Sequence, residues 1–247
     1  MNKVDMTVMP LFASNLIITN VNKQFNNIDI STINFTKSSD VNQTSEMSES
    51  NSVMGNYKEL GSEILNIFNQ YTQDVLKFDY QFTFSESWFT RMKPGDFCHY
   101  HQHYNSFYSG LFYFDDYEEN SGDICLLNPI NQLSMFFMQS EVINIHNAKE
   151  WRISPEKNLL ILFPSYLQHT ILGNASKSPR HSLAFNLVPF EEAPPNNKED
   201  EKDLNRKEYD DFENPCGHLN PPEAFGPCEH LNPPEAFGPG GPLIDPT

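Results

Sequence analysis

Leu159-Leu160-Ile161-Leu162-Phe163-Pro164-Ser165-Tyr166-Leu167-Gln168-His169 joins five consecutive apolar residues to a turn and a histidine. The run Leu159 to Phe163 has no polar position, so a strand there is buried on both faces. Pro164-Ser165 ends the run as a turn, and His169 follows at the edge of the next strand. A strand covered on both faces needs a layer on each side. Working outward, Tyr80, Phe82 and Phe84 alternate with Gln81, Thr83 and Ser85. Ser106 to Phe114 is aromatic-rich and β-prone, and His181 to Val188 reads as a further strand. Pro94-Gly95 and Ser121-Gly122 punctuate these runs as turns. Before them Leu60, Ile64, Ile67, Phe68, Tyr71 and Val75 recur at helical spacing, so one amphipathic helix packs its apolar face on a sheet. Short strands preceded by a single helix predict a mainly β fold, a sandwich or jelly roll with helical support.

The flanks differ in composition. Met6 to Val21 contains a strand pattern at Leu11-Phe12 and Leu16-Ile17-Ile18, whereas 22–55 is dominated by Asn, Ser, Thr and Gln and reads as a long polar loop. Beyond Phe190, residues 191–213 hold ten acidic and four basic side chains. A tandem repeat follows, Cys216 to Pro227 and Cys228 to Pro239, identical at eleven of twelve positions. Paired prolines exclude helix and central strand, so the tail is expected to be extended and disordered. Cys216-x-His218 and Cys228-x-His230 offer a zinc-type ligand set. Their spacing is tighter than that of ordinary zinc modules, and duplication alone copies residues. The expected organisation is 1–55, an N-terminal strand and polar loop; 56–190, the helix and β core; and 191–247, the acidic Pro-rich tail.

Of the 247 residues, 33 are acidic and 16 basic, for a formal charge of −17. A phosphate-tracking surface needs clustered Lys and Arg, so the composition argues against nucleic acid as a partner. No apolar run reaches the roughly 18 residues that span a bilayer. The opening Met1-Asn2-Lys3-Val4-Asp5 does not read as a secretory signal, and four scattered cysteines do not read as a disulfide framework. A cytoplasmic setting is expected. Nothing in the sequence indicates an oligomeric state.

The chemistry concentrates in histidines. His99, His101 and His103 alternate, and alternate residues of a strand face one way. Two of them can ligate one metal ion, with His169 as a distal ligand at a strand end. Spacing alone leaves open whether His99 and His101 or His101 and His103 form the pair. Eleven residues beyond His169 comes Arg180-His181-Ser182, in which Arg180 and Ser182 share a face and suit a carboxylate.

These landmarks together resemble the 2-oxoglutarate/Fe(II)-dependent oxygenases, and within them a subfamily common in bacteriophages and marine bacteria. The resemblance runs from Trp88 to Asn186. It is carried by Trp88, Lys93-Pro94-Gly95, His101-Gln102-His103, Ser109-Gly110 with Tyr113, Phe163 through His169, and Arg180-His181-Ser182 with Phe185-Asn186. The opening Pro10-Leu11-Phe12 is similar too. The resemblance implies a double-stranded β-helix with Fe(II) at one open end. It assigns His101, His103 and His169 as metal ligands, and Arg180 with Ser182 to the distal carboxylate of 2-oxoglutarate. His103 stands where the wider superfamily has Asp or Glu. The implied reaction consumes O2 and 2-oxoglutarate, hydroxylates a small molecule or protein side chain, and releases succinate and CO2.

Two other readings compete. A cupin shares the barrel, and Gly95 followed by His101-x-His103 fits the opening of its first motif. However, Phe107 and Tyr108 stand where that motif wants Glu, Asn158 and Tyr166 stand where Gly is wanted, and a cupin does not need Arg180. A non-catalytic jelly-roll interaction protein is the other, with the repeat as a docking peptide. Eleven of the 18 prolines lie beyond Phe190, where too little apolar surface is available to offset ordering entropy. A chain ending at Phe190 is therefore expected to remain folded and to bind iron, as read by circular dichroism and metal analysis. Insolubility or loss of metal would place the tail in the core.

Overall fold

A computed structural model describes residues 12–37, 44–130 and 141–190. Among the described residues, eleven strands form two antiparallel sheets. The larger holds β1 (Ile17–Asn20), β9 (Leu159–Pro164), β6 (Tyr108–Phe112), β11 (Arg180–Phe190), β4 (Gln81–Met92), β3 (Glu46–Ser48) and β2 (Phe35–Lys37), in that spatial order. The smaller holds β5 (Cys98–His101), β10 (His169–Ile171), β7 (Ile124–Leu127) and β8 (Glu150–Ile153). This is the expected jelly roll. The repeat, its Cys and His pairs, the strand pattern at Leu11 and the opening Pro10-Leu11 lie outside the described residues.

Alternation along the large sheet divides the core in two. Leu160 and Leu162 of β9 join Phe112, Leu183 and Phe185 beneath the helix. Leu159, Ile161 and Phe163 join Leu111, Tyr113 and Ile171 between the sheets. The all-apolar run thus serves two cores at once. Helix α1 (Lys58–Tyr71) buries Leu60, Ile64 and Phe68 on the outer face of the large sheet, four residues apart along one stripe. The helix then widens into a π-helical turn, Thr72–Leu76, and ends at left-handed Lys77. The wider turn rotates later side chains off the stripe, so Val75, expected inside, is 57% exposed.

Segment 22–55 is not loop throughout. It carries β2 and β3, with β3 pairing onto β4 through Glu46↔Arg91 and Met47↔Thr90. β3 lacks an apolar pattern because it gains order from the edge of β4, and β2 is ordered on β3 in turn. Glu46 is fixed there by ion pairs with Arg91 and Lys93, each at 2.5 Å.

The register of β4 changes once. Asn186 pairs with Glu86, but Leu187 pairs with Phe84, leaving Ser85 as an extra residue. Before this bulge Phe82 and Phe84 face the helix-side core; beyond it Phe89 does, while Trp88 and Met92 turn between the sheets. The side that Glu86, Trp88, Thr90 and Met92 present depends on this one residue.

Gly110 of β6 sits between its cross-strand partners Phe185 and Leu162. A Cβ there would lie 2.3 Å from Phe185 Cζ and 2.7 Å from Leu162 Cδ2. Gly110→Ala is expected to cost about 1–3 kcal/mol through overpacking, read from the shift of the urea unfolding midpoint. An unchanged midpoint would show that the sheet can widen at this point.

Candidate active site

His101 ends β5 and His169 begins β10, and the two are direct cross-strand partners. His103 lies beyond the strand end. Its backbone N–H donates to the Ser165 carbonyl at 3.0 Å, so the turn after β9 draws it in. One ring nitrogen from each of the three histidines lies within 4.8 Å of the others. The ring centroids are 4.3 Å apart for His101 and His169, and 5.2 Å for His103 and His169. The clustering of His101 with His103 therefore owes nothing to strand alternation, because the strand stops between them. His99 is outside the cluster, exposed and packed edge-on against Phe97.

The Nδ1 side of each ring faces oxygen. His101 Nδ1 is 2.9 Å from the His99 carbonyl, and His169 Nδ1 is 3.0 Å from the Leu167 carbonyl. A carbonyl only accepts, so each Nδ1 carries the proton and leaves Nε2 with its lone pair. His103 Nδ1 lies 2.7 Å from Asn186 Oδ1. Burial, reinforced by His101, pushes the His169 imidazole down to about 3, and the same two causes lower His103. Neutral imidazoles with available Nε2 atoms suit a first-row divalent metal such as iron. Phe163 packs edge-on against His169, and Trp88 stacks on His103.

Arg180 is 1% exposed. Nη2 donates to Tyr113 Oη at 2.8 Å, and Nη1 faces Ser182 Oγ at 3.4 Å and Met92 Sδ at 3.6 Å. Its Cζ lies 4.9 Å from the Tyr113 ring centroid. Nε has no partner. Among the described residues no carboxylate pairs with this guanidinium. Burying a cation against neutral groups alone is expensive, and a ligand carboxylate is the partner it suits. Ser182 also shares a 2.7 Å hydrogen bond with Thr90 Oγ1.

A cavity of about 380 Å³ lies at the histidines and reaches Ser182 and Met92, the side chains that Arg180 Nη1 faces, while Arg180 itself does not line it. The three histidines, Ser182 and Met92 line it, and Ser45, Met47 and Asn51 border it from the polar segment. The loop from Asp115 does not contribute. Asp115 accepts from His181 Nδ1 at 2.9 Å on the opposite side of β11. Tyr113, Thr90, Glu86 and Asn186 have no role expected from sequence, Tyr113 and Asn186 entering only as landmarks of the resemblance. Asn186 shares its parity with Arg180 and Ser182, a signal that could have marked it; the others depend on β4 register or on packing across sheets.

Residues 86–186 match the family described as "Putative 2OG-Fe(II) oxygenase". The matched segment, 101 of the 247 residues, is accordingly similar to the core of the 2OG-Fe(II) oxygenases, oxidoreductases that use Fe(II) and 2-oxoglutarate. No curated protein is a sequence match. SnoN, described as a non-heme alpha-ketoglutarate-dependent epimerase from nogalamycin biosynthesis, superposes with a TM-score of 0.52 at 6% identity. That alignment covers 71% of this chain and 76% of SnoN. HygX from Streptomyces hygroscopicus, with nickel, 2-oxoglutarate and hygromycin B bound, gives 0.49 at 9% identity over 71% and 83%. A prolyl hydroxylase from Trichoplax adhaerens, in complex with a hypoxia-inducible-factor peptide fragment, gives 0.48 at 15% over 71% and 83%. The SnoN likeness bears on the fold alone. No helix among the described residues is long and apolar enough to cross a membrane.

Proposed function

We propose that His101, His103 and His169 hold one Fe(II), and that Arg180 with Ser182 binds the distal carboxylate of 2-oxoglutarate in the same cavity. The chain is then a dioxygenase that hydroxylates a small molecule or a protein side chain. The observation that carries this reading is a buried guanidinium with no carboxylate partner among the described residues, facing Ser182 in the wall of the cavity that three clustered imidazoles line. When bound, the iron supplies the oxidative chemistry that converts a C–H bond, O2 and 2-oxoglutarate into an alcohol, succinate and CO2.

The chain's own residues bind and orient. The Arg180 fork takes the distal carboxylate as a charge-assisted pair. Tyr113 holds the guanidinium from behind, leaving its remaining N–H groups for the ligand. Burial raises the Tyr113 phenol above its ordinary range, so it stays a protonated partner. Thr90 holds the Ser182 hydroxyl beside the guanidinium. Phe163, Leu111 and Trp88 give the cavity apolar walls that limit water. A reducing cytoplasmic setting is further proposed, in keeping with the buried thiol of Cys125. The chain is further proposed to divide at 190/191, between the oxygenase core and the tail; the 55/56 boundary is one of composition, because β1, β2 and β3 join the same sheet as the core.

Alanine at His101, His103 or His169 is expected to cut iron content sharply after anaerobic loading, whereas His99→Ala keeps it. Full iron retention in His169→Ala would remove the assignment. Arg180→Ala is expected to weaken 2-oxoglutarate binding roughly 10²-fold by stranding a carboxylate, with iron binding nearly intact. Arg180→Lys should recover only part, since an ammonium lacks the planar fork. Calorimetric titration of the Fe(II)-loaded protein under nitrogen reads both. Unchanged binding in Arg180→Ala, or no succinate from the wild-type protein, would favour a cupin-type protein instead.

A further inference from the structure

His103 is held differently from its two neighbours. Backbone carbonyls fix His101 and His169, but a side chain fixes His103. That side chain is Asn186, which is 3% exposed. Its Nδ2 donates to Glu86 Oε2 at 3.2 Å, and its Oδ1 accepts from Ser109 Oγ at 2.8 Å. Ser109 Oγ is itself 2.9 Å from Ser165 Oγ. This arrangement orients the amide. A carboxylate only accepts, so Nδ2 must face Glu86 and Oδ1 must face His103. An acceptor at 2.7 Å then requires the proton on His103 Nδ1, which frees Nε2.

Glu86 is the one carboxylate among the described residues lining the cavity. Three neutral imidazoles bring no negative charge to a divalent ion, whereas a carboxylate ligand would bring one. Glu86 lies one amide behind His103, paired with Asn186 across β4 and β11 at the position next to the bulge. We propose that Asn186 is a positioning residue for His103, and that Glu86 behind it supplies the negative charge which His103 itself does not carry. The inference rests on the reading of the three histidines as the iron site. Outer hydrogen bonds of this kind fix ligand orientation and raise ligand basicity. The bulge at Ser85 is what aims Glu86 at Asn186.

Two measurements on the full chain test it. The first uses metal-free wild-type protein and nitrogen-labelled histidine NMR. It should find His103 as the Nδ1–H tautomer; a proton on Nε2 overturns the proposal, with no variant needed. The second is anaerobic Co(II) titration, which reads affinity and the visible d–d spectrum. Asn186→Leu should weaken Co(II) binding about 10- to 100-fold and change the spectrum, with far-ultraviolet circular dichroism retained. Glu86→Gln keeps an acceptor for Asn186 but loses the charge; it should weaken binding about threefold to tenfold, and less at high salt. The double variant Glu86→Gln/Asn186→Asp moves the charge one residue inward and should bind about as tightly as the parent. Asn186→Leu binding within about twofold of the parent overturns the positioning role. Glu86→Gln binding unchanged at low salt overturns the charge role. Because the tautomer is read without metal, failure of this relay and failure of the three-histidine reading are separate results.

Discussion

The site depends on one constraint, the parity of β11 between β4 and β6. Arg180, Ser182, Ala184 and Asn186 lie on its cavity side, while Leu183, Phe185 and Leu187 fill the core under the helix. A slip of one residue would send the guanidinium into the helix-side core and Leu183 into the cavity. The parity is held from both sides. Phe185 packs over Gly110 of β6, where no side chain could fit, and β4 pairs along the whole length of β11. The odd residues thus stabilise the arrangement that lets the even ones act.

The two halves of the site come from different sheets. His101 and His169 belong to the small sheet, and Arg180, Ser182 and Asn186 to the large one. Their separation is set by what fills the space between: Met92, Leu111, Phe163 and Ile171. Interiors pack densely, so this distance is not free to drift. His103 bridges the halves. Its backbone hangs on the turn after β9, and its ring is tied to Asn186 of β11.

How much of this could be read beforehand follows from where each signal resides. The double-sided burial of Leu159 to Phe163 is a local property of five residues, and the strand is where it was expected. The α1 stripe is equally local as far as Tyr71; it fails at Val75 because a π turn is not written in apolar spacing. Arg180 and Ser182 sharing a side needs only strand parity. The edge strands β2 and β3 were illegible, since β3 is ordered by β4 and β2 by β3, and not by their own residues. The grouping of His101 with His103 came from resemblance; the strand-alternation argument did not supply it, because β5 ends at His101. The side that Glu86 and Trp88 face was beyond reach for a third reason. Phe82 and Phe84 set an even parity that points to the helix, and only the bulge at Ser85 turns the later even residues to the cavity.

The cavity divides into a fixed floor and a rim of different origin. The floor consists of strand residues, whose directions follow from register: His169, Ser182, Ala184 and Leu111. Most of the rim comes from short segments, with Ser45, Met47 and Asn51 from the polar stretch before the helix and Gln102 and Tyr104 from the loop beyond β5. Tyr104 is 75% exposed. Substitutions on the floor disturb two packed sheets, whereas substitutions at the rim meet solvent on one side and cost little. The polar segment 22–55 is anchored at two places, by Val53 and Met54, which are buried in the helix-side core, and by Glu46, whose pairs with Arg91 and Lys93 hold β3 to the edge of β4.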